Sequence, residues 1–424
     1  MRNQIVGTTT GLATTGLAMA GLAMAAGGGA AQAATTLNAL FQAQAGYSEA
    51  EIRAMTAAYV NTHPDVTVNM EFVPYEALHD KTILAKGASQ AYDVVLSDSV
   101  WTPEYASSGV IEDVTQRMTP ELRDGILTGA LGSAVYKGHY YGLPWIVDAK
   151  FLFYNKAMFA KAGIATPPTT WAEVEADAIL LKQKGVVEYP LVSSWSQNEA
   201  LVADYTAIVA GFGGSFLDAS GKAVFQTGGG LDAAKWMQRS IVTDKVTNPH
   251  SLEFVEDDVK RVFSSGQAAM ALNWTYMWDG ANTPSADTKI AGQVGVAPPP
   301  GSKAGEVGAV NGSQPLCIPA NSTHKDAAWD YIVYLTSAPV QNAYATNSLP
   351  MWKGSFSDPK VVAGRPELLH AAESSFGVMI GRAEAVNYQQ FSTALQQSLQ
   401  QVVTGRSEPA AALKSAADVL SAGK

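Results

Sequence analysis

Residues 35–72 read TTLNALFQAQAGYSEAEIRAMTAAYVNTHPDVTVNMEF, and the reading of this stretch decides the fold class. Thr35 to Phe41 is an apolar run of strand length. Ser48, followed three residues later by Glu51, is a capping box that opens a helix. Ile52, Met55 and Tyr59 then recur at helical spacing, and Pro64 stops the helix. From Val66 the period changes. Val66, Val68, Met70 and Phe72 alternate with Thr67, Asn69 and Glu71, so successive side chains take opposite faces of a strand. Strand, helix and strand in about 40 residues make a βαβ unit.

The pattern continues outward. A strand is predicted over Asp93–Ser97, and apolar runs at Tyr140–Trp145 and Phe151–Tyr154 flank Asp148. A helix from Lys156 stops at Gly163, and Thr170 with Glu173 is a second capping box. Further helices are expected at 199–210, 231–242 and 257–264, with strands at 268–273, 294–297 and 316–319. The tail reads as helices at 327–335, 366–374, 388–404 and 409–420. Alternation of this kind predicts an α/β protein with largely parallel sheets. Pro298-Pro299-Pro300-Gly301 reads as a stiff connector, and Gly228-Gly229-Gly230 as a flexible turn before a helix.

At 424 residues the chain is long enough for two or three domains or two large lobes. Its 38 acidic residues exceed the 28 basic ones, a net charge of −10 that argues against a nucleic-acid partner. With 47 % hydrophobic and 16 % charged residues it does not have a disordered composition. Cys317 is the single cysteine, so no disulfide scaffold exists; within Leu316-Cys317-Ile318 it reads as a buried thiol.

The N-terminus has one basic residue, Arg2, then an apolar stretch from Ile5 to Ala26, then Ala31-Gln32-Ala33. These are the three parts of a secretory signal peptide, with the cut expected after Ala33. A stretch of about 20 apolar residues can also span a bilayer, but its Gly, Thr and Ala content favours the cleaved signal. No cysteine lies near the cut, so a lipid anchor there is not expected. No later segment is apolar for long enough to cross a membrane.

Local motifs for catalysis are absent. The six histidines, His63, His79, His139, His250, His324 and His370, form no helical metal pair, so no metal site is expected. There is no G-x-S-x-G elbow. Gly221-Lys222 fails as a phosphate loop, because Phe216 and Ala223 stand where Gly and Ser or Thr are required. No cofactor is implied. A glycosidase carboxylate pair is spatial and has no sequence signature.

Instead a different pattern recurs, in which an apolar strand ends and a polar residue and an aromatic follow. Val94-Val95-Leu96-Ser97 leads to Asp98, Ser99 and Trp101. Leu143-Pro144-Trp145 leads to Asp148. Met270-Ala271-Leu272 leads to Asn273, Trp274, Tyr276 and Trp278, and Val192-Ser193-Ser194 leads to Trp195. Ligands of open α/β sheets sit beyond the carboxyl ends of strands. A sugar ring suits such a place, because its C–H face stacks on an aromatic plane while Asp and Asn meet its hydroxyls.

Several segments taken in order resemble one family, the sugar-type extracellular solute-binding proteins of bacterial ABC importers, with maltose- and trehalose-binding relatives. They are Tyr59–Val66, Tyr92–Asp98 with Gly109, and Tyr141–Trp145 followed by Phe153–Phe159, Ala162-Gly163 and Pro168–Trp171. Phe263–Met270, Ile318–Ser322, Ala327–Trp329 and Leu335–Ser337 complete the series. The resemblance covers nearly all of the chain after residue 33. It implies a two-lobed periplasmic-binding-protein fold with a ligand cleft between lobes joined by hinge crossings. Residues 34–146 and 293–346 would form the first lobe, and 147–292 and 347–424 the second. It implies hinge closure on a solute, delivery to permease subunits in the inner membrane, a periplasmic monomer and no catalysis.

Carried over by position, the resemblance implies ligand contacts from Asp98, Asp148 and Trp274, from the turn at Asn311-Gly312, and from Arg382. Gln44 stands where a Glu is common after the first strand. Trp145, Trp195, Tyr276 and Trp352 are further stacking candidates, while Lys150 and His79 have less support. Asp acceptors with aromatics favour a neutral sugar, sugar alcohol or small glycoside. An anionic sugar would lean on Arg382 or on the helix N-terminus after Gly230. A polyamine fits the same acids, and a secreted glycoside hydrolase is the remote alternative.

Overall fold

The computed structural model describes residues 35–43, 45–87, 92–345 and 348–423. The expected signal segment, its expected cut and Gln44 lie outside the described residues. Among the described residues eleven strands run in chain order: β1 Thr35–Gln42, β2 Val66–Val73, β3 Val94–Leu96, β4 Val135–Tyr136, β5 His139–Tyr140, β6 Leu143–Ile146, β7 Phe151–Asn155, β8 Leu191–Val192, β9 Met270–Asn273, β10 Val294–Ala297 and β11 Gln314–Cys317.

The opening βαβ unit forms as expected. The Ser48 hydroxyl accepts from the Glu51 amide, and the Glu51 carboxylate accepts from the Ser48 amide, which opens the helix Glu49–Thr62. Ile52, Met55 and Tyr59 face the core from that helix. β1 and β2 pair in parallel from Thr35↔Val66 to Gln42↔Val73. Each apolar side chain buried here contributes roughly 1.5–3 kcal/mol. The second capping box, Thr170 with Glu173, opens Trp171–Gln183. Gly163 ends Lys156–Ala162 at φ +74, a left-handed conformation that favours glycine.

The strands form two main sheets, one per lobe, ordered β2-β1-β3-β11-β6 and β10-β7-β9-β8. Neither is largely parallel. β1 pairs parallel with β2 and β3, and β8 with β9, but β11 runs antiparallel to β3 and β6, and β7 to β9 and β10. The reversed strands β7 and β11 both follow passages between the sheets, and they enter from the direction opposite to a βαβ crossover.

The lobe limits also differ from those read in the sequence. β10 pairs with β7 and therefore belongs to the second sheet, although the expected division at 293 assigned it to the first lobe. Residues 351–353 hold to the first lobe: the Leu127 amide donates to the Met351 carbonyl, Trp352 bridges Ile126, and Lys353 donates to the Asp124 carbonyl. These positions are fixed by long-range pairing, which carries no local sequence signal.

The passages between the sheets lie side by side. Val147 bridges Leu349, Ala149 bridges Asn311, and Val310 bridges Ile380. The Gly312 amide donates to the Asp148 carbonyl at 3.0 Å. After Ile380 the chain ends in two helices, Tyr388–Val403 and Pro409–Ala422, that pack on the second lobe. The Gly triplet is not a free turn. Gly228–Gly230 begin the helix Gly228–Gln238, and a Cβ on Gly230 would lie 2.1 Å from the Phe225 carbonyl oxygen. Close packing of backbone on backbone explains Gly229 and Gly230, and Gly228 takes a left-handed φ of +51 that favours glycine. Cys317 is fully buried and free, and its thiol is pushed up by burial.

Candidate functional site

A cleft enclosing about 300 Å³ opens between the two sheets. The first lobe contributes Gln42, Ala43, Ala45, Gly46, Tyr75, Glu76, Asp98, Ile146, Gly312 and Gln314 to its walls. The opposite wall is formed by Asp148, Asn198, Glu199, Ala200, Ala203, Val255, Glu256, Asp257, Trp274, Tyr276 and Arg382.

Asp98 lies just past β3 because the chain turns there: its side chain caps the 3₁₀ turn Ser99–Trp101 by accepting from the Val100 amide. Its carboxylate also accepts from the Tyr75 hydroxyl at 2.9 Å and from Arg382 Nη2 at 2.5 Å. Arg382 Nη1 donates to Glu199 Oε1 at 2.8 Å, and Glu199 also accepts from the Tyr388 and Ser392 hydroxyls. Burial opposes the Arg382 charge, but Asp98, Tyr388 and Glu199 outweigh it, and the guanidinium is held above its ordinary range. Arg382 thus joins the two walls.

Asp148 sits on the first passage between the lobes. Its Oδ1 accepts from the Ala149 amide, the Thr275 amide and the Thr275 hydroxyl at 2.9, 3.0 and 2.5 Å. Burial raises its carboxyl to about 7, with the Thr275 hydrogen bonds pulling the other way.

Trp274 follows β9, and its amide donates to the Asn273 side chain. The indole Nε1 donates to Glu256 at 3.2 Å, and Lys150 Nζ stands 5.0 Å from the ring centroid. Lys150 is fully buried. It donates to Asp204 at 2.5 Å and lies 3.3 Å from Glu256. Burial opposes its charge, but the carboxylates prevail and raise its pKa. On the passage before β11, Gly312 leaves room for the ring, since a Cβ there would lie 2.4 Å from Trp274 Cζ3. Tyr276 lines the same wall with Lys260 Nζ 4.7 Å from its centroid.

The structure therefore brings Asp98, Asp148, Trp274, Tyr276, Gly312 and Arg382 to one cleft. It places the remaining described candidates elsewhere. Trp145 is fully buried against Phe41 and Tyr47, because its position in β6 points it into the first lobe's core. Trp195 is 1 % exposed, and its carbonyl accepts from Gln400. Trp352 donates from Nε1 to the Thr336 carbonyl at 2.7 Å and packs by Gly125. Asn311 turns away to the Gly129 carbonyl at 2.8 Å. Lys150 stands behind the wall, and His79 is held between Asp80 and Glu104.

Sequence reading missed Tyr75, Glu76, Gln314, Asn198, Glu199, Glu256 and Asp257. A signal for one of them was present. The helix Glu199–Gly211 is apolar and buried on nearly all sides, so its two acids, Glu199 and Asp204, needed partners. Those partners are Arg382 and Lys150.

No group of three or more His, Cys, Asp or Glu side chains among the described residues is arranged to hold a metal ion. Among them, too, no helix is long and apolar enough to cross a membrane.

Two lobes around an acidic, aromatic-lined cleft define a solute-binding architecture, and comparison with known proteins agrees. Residues 14–342 match the model of the bacterial extracellular solute-binding protein family, and the chain belongs to that family. A putative binding protein of Brucella abortus is 26 % identical over 365 residues, 85 % of this chain and 86 % of the relative. The structure of maltose-bound MalE3 of T. maritima superposes with a TM-score of 0.82 at 27 % identity, covering 92 % of this chain and 99 % of that one. A ribitol complex of an ABC transporter solute-binding protein from Agrobacterium radiobacter superposes at 0.79 with 25 % identity, covering 92 % and 98 %.

Proposed function

We propose that this protein captures a carbohydrate in the cleft and delivers it to the permease of an ABC importer. Juxtaposition carries the reading: Trp274 and Tyr276 offer aromatic surface beside Asp148, Gln314 and Arg382 in one enclosed space between lobes. A sugar, sugar alcohol or small glycoside presents an apolar face and a rim of hydroxyls, and both find counterparts there. The maltose and ribitol bound to structural relatives are of this chemistry.

In this reading residues 1–33 are a signal peptide removed after Ala33, and the mature chain works in the periplasm as a monomer without a lipid anchor. The first lobe comprises about residues 35–146 and 313–362, and the second about 150–309 and 366–423. Three passages between them act as the hinge. The protein binds and releases its solute without changing it.

A thermal-shift panel of mono- and disaccharides, polyols, anionic sugars and polyamines tests this. Binding stabilises the native state in proportion to RT ln(1 + [L]/Kd). A shift that grows with one carbohydrate, with that carbohydrate recovered unchanged, supports the proposal. Chemical conversion of the carbohydrate, or a shift with polyamines alone, overturns it.

A further inference from the structure

Charge in the cleft is unevenly balanced. Glu76, Asp98, Asp148, Glu199, Glu256 and Asp257 line it against a single lining cation, Arg382. Arg382 lies between two carboxylates, Asp98 and Glu199. Lys150, behind the wall, also lies between two, Asp204 and Glu256. Each triad keeps one negative charge uncompensated. Asp257 is matched by Lys260 at 2.7 Å, whereas the exposed Glu76 has no ion-pair partner among the described residues. Low-dielectric walls focus the resulting negative potential into the cavity.

Hydrogen-bonding capacity points the same way. Gln314 is 8 % exposed and lines the cleft. Its Nε2 donates to Gln42 at 3.3 Å, while its Oε1, an acceptor, is buried without a partner. The site thus asks its occupant for donors. An ammonium group supplies three of them and a positive charge.

We propose that the preferred occupant is a cationic carbohydrate, a sugar, polyol or small glycoside bearing an amine. This rests on the carbohydrate reading of the cleft and goes further by naming the charge. An anionic sugar is disfavoured, because the one lining cation, Arg382, already lies between two carboxylates, Asp98 and Glu199.

Matched pairs test it by titration calorimetry at about pH 6, where alkyl amines are protonated. The pairs are 1-amino-1-deoxysorbitol against sorbitol, and the glucosamine disaccharide of chitosan against cellobiose. The amine member of at least one pair is expected to bind about tenfold tighter or more, with the advantage shrinking in salt and lost on N-acetylation. Glu76→Gln should weaken the amine member more than its neutral counterpart and so narrow the gap within that pair. Equal or tighter binding of the neutral members overturns the inference while the carbohydrate reading stands. Spermidine binding without any carbohydrate binding overturns both. Failure of every amine-bearing sugar to bind also overturns the inference.

Discussion

Arg382 Nη2 stands 2.5 Å from Asp98 Oδ1, although 284 residues separate the two in sequence. Arg382 stands on the second lobe's wall of the cleft and Asp98 at the end of β3 in the first, and Glu199 continues the bridge within the second lobe. Both partners are buried, at 6 % and 2 % exposure. Taking one member from such a pair costs about 3–5 kcal/mol, because the other charge is left buried alone. Arg382→Met should therefore lower the free energy of unfolding in urea by that order. A loss below about 1 kcal/mol, the scale of an exposed pair, would show that the bridge does not hold the lobes.

Asp148 gives the protein a pH dependence of definite sign. Its folded-state carboxyl is raised by burial to about 7, so the folded chain keeps a proton that the unfolded chain has lost above its ordinary value of about 3.9. Its contribution to stability is complete below about pH 4 and declines through pH 7, by up to roughly 1.4 kcal/mol per unit. Asp148→Asn should flatten that part of the stability profile without ligand. Identical slopes in urea unfolding from pH 4 to 8 for parent and variant would refute the assignment.

Trp274 and Gly312 form a second pair across the cleft. Gly312→Ala places a methyl 2.4 Å from the indole, so the ring must move. The expected result is weaker carbohydrate binding and an altered tryptophan emission, with the melting temperature changed little. Trp274→Ala should reduce affinity about tenfold or more by removing aromatic surface, and should also release Lys150 from a contact of about 0.5–2 kcal/mol. Unchanged affinity in both variants would exclude the indole from the binding surface.

Trp145 makes the opposite case. Its indole is fully buried with Phe41 and Tyr47 and does not line the cleft, so Trp145→Ala is a core truncation. It should cost about 3–5 kcal/mol in unfolding while the folded fraction binds normally. Loss of affinity in a variant of undiminished stability would return Trp145 to the site.

Local order was legible because it is written at short range. The capping boxes at Ser48–Glu51 and Thr170–Glu173 and the change of period at Val66 needed only neighbouring side chains, and the helices and strands they predict are present. Asp98, Asp148 and Trp274 reach the cleft because each follows an apolar strand, and strand ends in such sheets open onto it. The aromatic rule failed at Trp145 and Trp195, since indoles at strand ends serve as core as readily as surface, and only packing separates the two.

By itself the sequence determined the α/β alternation, the start of most elements and an acidic composition with one unpaired cysteine. Tertiary structure decided which sheet each strand joins, the antiparallel entry of β7 and β11, and the meeting of Glu199, Arg382 and Asp98. The reason is physical. Secondary structure follows from hydrogen bonds and periodicities spanning a few residues, whereas a charge bridge between lobes depends on chain segments hundreds of residues apart packing on one another.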